Sequence, residues 1–298
     1  MEKMNLKTAL KAGFKCNDNG YFNSFLDNVY ANQMDSKFQK MFNKGSGNEL
    51  HSKAEAIHSS SMLAYNFFHW IDDASGFDYN GINYTNVFFE VRMKTLNLKN
   101  SNSPANMDIV LSDKEHKHLL FIESKFTEYC ETKKWDLSDS YKNENSFNND
   151  VRWDEIIKEI KDAVKSSKSC KYKDGIKQLT THLFGIANLC NDEALAWFKK
   201  NNILQLEKPF DVKFINLVFE PQKENFNDEH DDFDKYRTLL ENVIKIVDNK
   251  IKMEKKSLKI EFLTYTDLWN LMKNQIDKDD LKDYLWQRYM QFAEGAER

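Results

Sequence analysis

Residues 104–126 constrain the fold of this chain more than any other stretch. They hold two segments rich in Met, Ile, Val, Leu and Phe, at 105–113 and 118–126, with four polar residues, 114–117, between them. Two β-forming segments joined by a short polar loop predict an antiparallel hairpin. A further β-forming segment at 86–96 precedes the hairpin, so the sequence predicts a meander of three strands.

The predicted hairpin brings acidic residues together across its two strands. If Asp113 faces His118 at the loop, counting back along both strands places Asp108 directly opposite Glu123. Directly opposed carboxylates repel each other, and a divalent cation between them is the natural compensation because hard cations take carboxylate oxygens as ligands. Lys125 shares a strand face with Glu123, since side chains alternate between the two faces of a strand.

Two carboxylates, a lysine and Mg²⁺ or Mn²⁺ form a site suited to phosphodiester hydrolysis. The metal polarises the phosphate and lowers the pKa of its water, and the lysine orients that water or helps to deprotonate it. The alternative is an ordinary hairpin with a charged solvent face, on which Lys125 simply neutralises Glu123. The apolar residues around these charges favour the site over the alternative.

The rest of the pattern predicts helices on both sides of the meander. The predicted helices lie at 1–43, 49–71, 153–165, 174–190 and 236–247 and near the C-terminus up to 292, and the remaining strands lie at 212–219 and 260–264. The acidic stretch 228–234 has five carboxylates and no base, so we expect a solvated loop there. The order α, β, β, β, α, α, β predicts a mixed α/β domain with extra helices at both termini.

Composition indicates a folded protein whose net charge does not by itself indicate nucleic-acid binding. The 298 residues carry a net charge of −4, with only 9 glycines and 3 prolines. Any nucleic-acid site must therefore be local, and the lysine-rich stretches 161–177 and 249–259 are candidates. The four cysteines lack the spacing of a zinc site, and no apolar run reaches the roughly 20 residues of a membrane helix. We therefore expect a cytoplasmic protein with no membrane partner.

The hairpin motif resembles that of a known nuclease superfamily. The sequence PANMD at 104–108, followed by Glu123-Ser124-Lys125, is similar to the PD-(D/E)XK signature of the restriction-endonuclease-like nucleases, although three residues separate the proline from the aspartate. The resemblance covers about residues 50–220. It implies an αβββαβ core with a mixed central sheet flanked by helices.

The same resemblance implies a division of the chain and adds site residues. A helical extension at 1–48 would precede a nuclease core at 49–220, and a C-terminal extension at 221–298 would pack on that core, giving a single domain overall. The predicted helix 49–71 resembles a bacterial branch of the superfamily in Glu55, the run HSSS at 58–61 and Asn66, with IESKFTEY continuing past the lysine.

The resemblance implies a role for each candidate residue. Asp108 and Glu123 would be metal ligands, Lys125 would be the base that orients the water, and Glu55 would be a further acidic ligand, direct or through water. Two more candidates lie on the predicted helix 174–190, which in such nucleases presents polar residues towards the scissile phosphate. Gln178 and His182 are four residues apart and share a face of that helix.

The expected function is metal-dependent cleavage of nucleic acid with Mg²⁺ or Mn²⁺, with DNA as the expected substrate. The setting would be bacterial defence, repair or mobile-element biology, and a homodimer is one expected assembly because related nucleases often act as dimers. Three alternatives stay open: a catalytically silent nucleic-acid-binding or scaffold protein of the same fold, a nuclease acting on RNA, and a metal-dependent phosphohydrolase acting on small nucleotides.

Overall fold

The computed structural model describes residues 5–45, 49–72, 76–98, 104–148, 150–253 and 256–298. The helices are α1 (Leu6–Lys11), α2 (Ser36–Lys44), α3 (Ser60–Phe68), α4 (Trp153–Ser166), α5 (Asp174–Asn188), α6 (Asp192–Asn201), α7 (Asn227–Val247), α8 (Tyr265–Met272) and α9 (Asp279–Arg288). The strands are β1 (Phe77–Tyr79), β2 (Ile82–Tyr84), β3 (Asn86–Met93), β4 (Ala105–Ser112), β5 (His118–Lys125), β6 (Asp211–Val218), β7 (Lys252–Met253), β8 (Lys256–Ser257) and β9 (Lys259–Thr264).

The central sheet is mixed and has five strands in the spatial order β3–β4–β5–β6–β9. The first three strands form the antiparallel meander that the sequence predicts, and β6 and β9 continue the sheet in parallel. The helices α4, α5 and α6 connect β5 to β6, as a parallel pair requires a long crossover. The predicted α/β fold with a mixed sheet flanked by helices is therefore confirmed.

The predicted hairpin register is also confirmed. Ile109 pairs with Ile122 and Ser112 with Leu119, which is the predicted register, and the paired residues end at Ile109 and Ile122, one position before Asp108 and Glu123. The short loop fixes this alignment, since it leaves little freedom for the strands to slide past each other.

Two hydrophobic clusters cover the two faces of the sheet, and the packing of α5 on one face matters for the site. Ile122 belongs to one cluster and its neighbour Phe121 to the other, as expected for a strand buried on both sides. On the second face, α5 passes very close to β3, because a Cβ atom built on Gly185 would lie 2.7 Å from the Cβ of Met93. The missing side chain at Gly185 therefore lets α5 lie directly on the sheet.

The single helix predicted at 49–71 is wrong. The chain instead makes one π-helical turn, Glu49–Lys53, then leaves the helical path and begins α3 at Ser60. Asn28 from the N-terminal region explains the break, because its side-chain amide donates hydrogen bonds of 2.8 Å to the carbonyls of both Ala54 and Ala56. The carbonyls of Ala54 and Ala56 therefore accept hydrogen bonds from a distant side chain, and the helix does not continue through them.

The acidic stretch 228–234 is not a loop, and this prediction is wrong as well. It forms the first turns of the 21-residue helix α7, in which Phe233 is buried. Carboxylates near a helix N-terminus are stabilised by the helix dipole, so the acidic run favours the start of a helix.

The terminal regions differ in part from the prediction. Between α1 and α2 the chain has only two short 3₁₀ turns rather than the helix expected over 1–43, and its first four residues lie outside the described ranges. The C-terminal segment 221–298 supplies β9 to the central sheet. In the part of the chain that the structure describes, no helix is long and apolar enough to cross a membrane.

Candidate active site

A half-open cavity of about 620 Å³ lies where β4 and β5 meet the start of α3 and one face of α5. Its lining is strongly acidic. The carboxylates that line it are Glu49, Glu90, Asp108, Glu123, Glu128, Glu131 and Asp174, and the lysines are Lys53, Lys125 and Lys133. An excess of carboxylates in a concave site attracts cations.

Asp108 lies beside the end of the hairpin ladder. Its Oδ2 atom accepts a hydrogen bond of 2.7 Å from the backbone amide of Ser124, so the carboxylate is held against β5. Burial, followed by the nearby charge of Glu123, raises the pKa of Asp108 from 3.8 to about 8. The metal-free site therefore holds a proton on this carboxyl near neutral pH.

Glu123 and Lys125 form a buried ion pair on the same face of β5. Their exposed fractions are 3% and 5%, and the Lys125 ammonium also lies 3.3 Å from the carbonyl oxygen of Ser124. Burial raises the pKa of Glu123 even though Lys125 acts in the opposite direction. Burial opposes the charge on Lys125, but Glu123 and the other acidic groups around it raise its pKa well above the usual value.

His182 and Gln178 of α5 both line the cavity, next to the sheet residues. The Nδ1 atom of His182 lies 3.2 Å from Oε2 of Glu123. Burial lowers the pKa of His182 to about 4, so its ring is neutral at physiological pH and the contact is not an ion pair. Neither of these two atoms has a hydrogen-bond partner among the described residues. Gln178 accepts a hydrogen bond of 3.4 Å from the hydroxyl of Tyr172.

Glu55 is not among the residues that line the cavity. It follows the π-helical turn, in the segment that Asn28 pulls out of the helical path, and its backbone carbonyl accepts a hydrogen bond from the amide of Phe22 at 2.9 Å. Asn66 has a structural role instead, since its buried side chain donates to the carbonyl of Asn28 and the hydroxyl of Tyr289. The run 58–61 does line the cavity.

Apart from Asp108 and Glu123, sequence reasoning identified none of the carboxylates that line the cavity, and Glu49 and Glu90 are two of those it missed. Glu49 accepts hydrogen bonds from Lys53 at 2.7 Å and from the hydroxyl of Ser61 at 3.2 Å. Glu90 interrupts the apolar run of β3 and is only 6% exposed, with its pKa raised well above normal by burial and by Asp108. The available signal was a single carboxylate between Phe89 and Val91, in a strand otherwise typical of a core.

The donor set fits a hard divalent cation bound at an open site. Asp108 and Glu123 offer carboxylate oxygens in the same cavity, and Oε2 of Glu123 is buried without a hydrogen-bond partner in the described ranges. Within those ranges no group of three or more histidine, cysteine or acidic side chains is arranged to enclose one metal ion. Mg²⁺ does not need such an enclosure, because it keeps several waters and is commonly bound through one or two carboxylates.

Comparison with known proteins identifies the family. A family model described as restriction endonuclease associating with ARP matches residues 1–290, almost the whole chain. No curated protein and no solved structure matches the sequence. The match agrees with the mixed central sheet flanked by helices. The chain therefore belongs to this restriction-endonuclease family.

Proposed function

We propose that the protein is a metal-dependent nuclease that hydrolyses phosphodiester bonds in DNA. The observation that carries this proposal is the meeting of Asp108, Glu123 and Lys125 in one acidic cavity of a restriction-endonuclease chain. The family supports nucleic acid as the substrate and nuclease activity as the function. The chemistry of the donor set supports the metal.

Each residue has a distinct part in the proposed reaction. Asp108 and Glu123 would hold Mg²⁺ or Mn²⁺, which when bound supplies positive charge to the phosphate and lowers the pKa of water. Lys125 is charged in the metal-free site, so it would donate a hydrogen bond to the attacking water or to a phosphoryl oxygen rather than accept a proton. His182 would position Glu123 through their 3.2 Å contact, and Gln178 would face the substrate from α5.

Glu55 has no place in this proposal, because it does not line the cavity. The structure gives a physical reason, since Asn28 draws the preceding backbone away from the helix on which Glu55 was expected. The acidic group next to the motif is instead Glu90, on the neighbouring strand β3.

Binding of DNA by this chain must rely on charges outside the acidic cavity. The stretches 161–177 and 249–259 are rich in lysine, but 254–255 lie outside the described residues and several of the lysines are already paired. Those pairs are Lys171 with Asp232, Lys177 with Asp174, Lys250 with Glu159 and Lys256 with Asp211. We therefore propose that additional DNA contacts come from a partner, either a second copy of the chain or the ARP component named in the family description.

The test is a cleavage assay that compares substrates and metals. Supercoiled plasmid, single-stranded DNA and RNA are incubated with the protein in Mg²⁺, Mn²⁺ or EDTA, using wild type, Lys125→Ala and Lys133→Ala. Lys133 is the matched control because it lines the same cavity but is exposed and paired with Glu131. We expect metal-dependent cleavage of DNA that Lys125→Ala abolishes and Lys133→Ala retains.

Other results of that assay would change the proposal in defined ways. Cleavage of RNA alone would move the substrate from DNA to RNA. If the wild-type protein cuts none of the substrates and also binds no Mn²⁺ in calorimetry, a catalytically silent scaffold of the same fold is favoured. The bacterial setting rests on the sequence resemblance and the cytoplasmic location on the sequence pattern, and both stay proposals.

A further inference from the structure

A second, smaller cavity of about 270 Å³ lies beside the candidate active site, and its lining residues fall within 135–142 and 154–161. We call it the lateral groove. The segment after β5 joins the two cavities, because Lys133 lines the active-site cavity and Trp135 lines the lateral groove. Two residues of a chain span at most about 7 Å, so a strand that leaves the active-site cavity past Lys133 reaches the lateral groove next.

One side of the lateral groove is aromatic. Trp135 and Tyr141 both line it, and both are partly buried against the hydrophobic cluster on the second face of the sheet. The ring of Tyr141 packs edge-on against Phe184 with the ring centroids 5.0 Å apart, and its hydroxyl lies 3.3 Å from the hydroxyl of Thr95. Rings that the core holds on one side and leaves partly exposed on the other form a firm surface on which flat groups can stack.

The other side of the lateral groove carries a stripe of lysines on α4. Lys158 and Lys161 line the groove, and Lys165 continues along the helix. Residues three, four and seven apart lie on one face of an α-helix, so the three lysines form a single row. All three are exposed, and none of their ammonium groups forms an ion pair or a hydrogen bond with another described residue.

The carboxylates of α4 next to the lysine stripe are mostly engaged elsewhere. Glu155 is paired with Arg152, and Glu159 is paired with Lys250. Asp162 is the carboxylate beside the stripe that has no such partner among the described residues. The stripe therefore keeps an excess of positive charge.

The charge of the lateral groove differs from that of the active-site cavity. Its lining contains Lys142, Lys158 and Lys161 against Asp139 and Asp154, whereas the lining of the active-site cavity is strongly acidic. Lysines alone would attract any polyanion, but the aromatic side favours one that also carries flat groups. Single-stranded nucleic acid combines phosphates with unpaired bases whose faces are free to stack, and in a duplex those faces are already covered by the neighbouring base pairs.

We propose that the lateral groove binds unpaired DNA next to the phosphate that is cut. Bases would stack on Trp135 and Tyr141, and phosphates would lie along Lys158, Lys161 and Lys165. The inference rests on the proposed function, which places the cut in the active-site cavity. The groove then supplies an attraction for the DNA strand that the acidic cavity does not provide.

Fluorescence anisotropy of the full-length protein in EDTA tests this binding separately from cleavage. The probes are a labelled single strand of about 20 thymidines and a blunt duplex of the same length. We expect tighter binding of the single strand. Trp135→Ala should weaken it about 10-fold, as for loss of one stacking partner, and Trp135→Phe should retain most of the affinity. Trp197→Ala is the matched control, because Trp197 is a partly buried tryptophan of α6 whose ring already has Arg92 at 5.9 Å.

The salt dependence of the same binding tests the lysine stripe. The double variant Lys158→Gln with Lys161→Gln should reduce the slope of log affinity against log salt by about 1.4, since each phosphate contact on a single strand contributes about 0.7. The control is Lys199→Gln with Lys200→Gln on α6, two lysines without an ion pair among the described residues, and it should keep the wild-type slope. A purely structural role of the α4 lysines would lower the affinity without changing the slope.

Failure of this proposal can be told apart from failure of the nuclease proposal. Equal affinity for single strand and duplex, no binding of the single strand, or a Trp135→Ala variant that is folded by circular dichroism and binds like wild type would overturn the lateral groove as a DNA site. Cleavage measured on the same preparations would still stand in each of these cases. A protein that binds the single strand as expected but cuts no DNA in Mg²⁺ or Mn²⁺ would instead contradict the nuclease proposal.

Discussion

Oε2 of Glu123 lies 3.2 Å from Nδ1 of His182, and this contact joins the central sheet to α5 at the candidate active site. Both side chains are almost fully buried. The histidine is neutral because burial lowers its pKa to about 4. A neutral ring can restrain the carboxylate without competing with a metal ion for its negative charge. His182 is thus a positioning residue in this account.

Replacing His182 should lower activity without changing the shape of its pH dependence. His182→Gln removes the ring that restrains Glu123, and loss of such a supporting contact at a metal site typically costs about 10–100-fold in affinity or activity. Because the histidine does not titrate between pH 5 and 8, the pH–rate profile of the variant should parallel that of wild type. An ionisation near pH 6.5 that is present in wild type and absent from the variant would contradict this assignment.

The ion pair of Lys125 with Glu123 should show strong energetic coupling. Removing one member of a buried pair leaves an uncompensated charge and costs about 3–5 kcal/mol in free energy of unfolding. Lys125→Met alone should therefore destabilise the protein more than the double variant Glu123→Gln with Lys125→Met. Urea unfolding of the four proteins in a double-mutant cycle measures the coupling, and losses that simply add would show that the pair contributes nothing.

Asp108→Asn should stabilise the metal-free protein at alkaline pH. The pKa of Asp108 is near 8 in the folded state and 3.8 in its ordinary environment, so between these values the folded state binds a proton that the unfolded state lacks. The free energy of unfolding of wild type therefore falls as pH rises from 4 to 8. Asparagine cannot ionise, and we expect it to gain roughly 1–3 kcal/mol at pH 8.5.

The measurement for Asp108→Asn is urea unfolding in EDTA at pH 4 and pH 8.5. The gain should be present at pH 8.5 and absent at pH 4, where the wild-type carboxyl is protonated. Glu90 and Glu123 also have raised pKa values and give wild type the same direction of pH dependence, so some slope should remain in the variant. Equal stability of wild type and variant at both pH values would mean that burying Asp108 carries no charge penalty.

Gly185 should be intolerant of any side chain. A Cβ atom there would lie 2.7 Å from the Cβ of Met93, closer than real Cβ contacts allow, so Gly185→Ala forces α5 away from β3. Overpacking of this kind costs typically about 1–3 kcal/mol, and Gly185→Ser should cost more. The same displacement moves His182 away from Glu123, so activity should fall as well. Unchanged melting temperature and activity in Gly185→Ala would show that α5 is not held this closely.

The sequence predicted the hairpin correctly because its geometry is local. Four polar residues, 114–117, set the register, and that register determines which residues face each other on β4 and β5. The order of strands and helices followed from hydrophobic periodicity in the same way. The identity of Asp108, Glu123 and Lys125 as neighbours therefore needed no tertiary information.

The features that escaped prediction depend on distant contacts. The break before α3 is caused by Asn28, more than 20 residues upstream, whose hydrogen bonds no local pattern reveals. Glu90 lies in the strand predicted at 86–96, but its position opposite Asp108 depends on the pairing of β3 with β4, and the sequence does not determine the register of that pairing. The positive φ of 53° at Glu90, where the ladder between β3 and β4 lacks a pair, is likewise a product of the assembled fold.

The most direct test of the central claim follows one preparation through removal and return of its metal. Plasmid cleavage by wild type is measured in Mg²⁺, after addition of excess EDTA, and after Mg²⁺ is restored, with Asp108→Asn measured in parallel. We expect activity that disappears with EDTA, returns with Mg²⁺ and is absent from the folded variant throughout. Cleavage that persists in EDTA, or that Asp108→Asn retains, would contradict the assignment of a metal-dependent active site to this cavity.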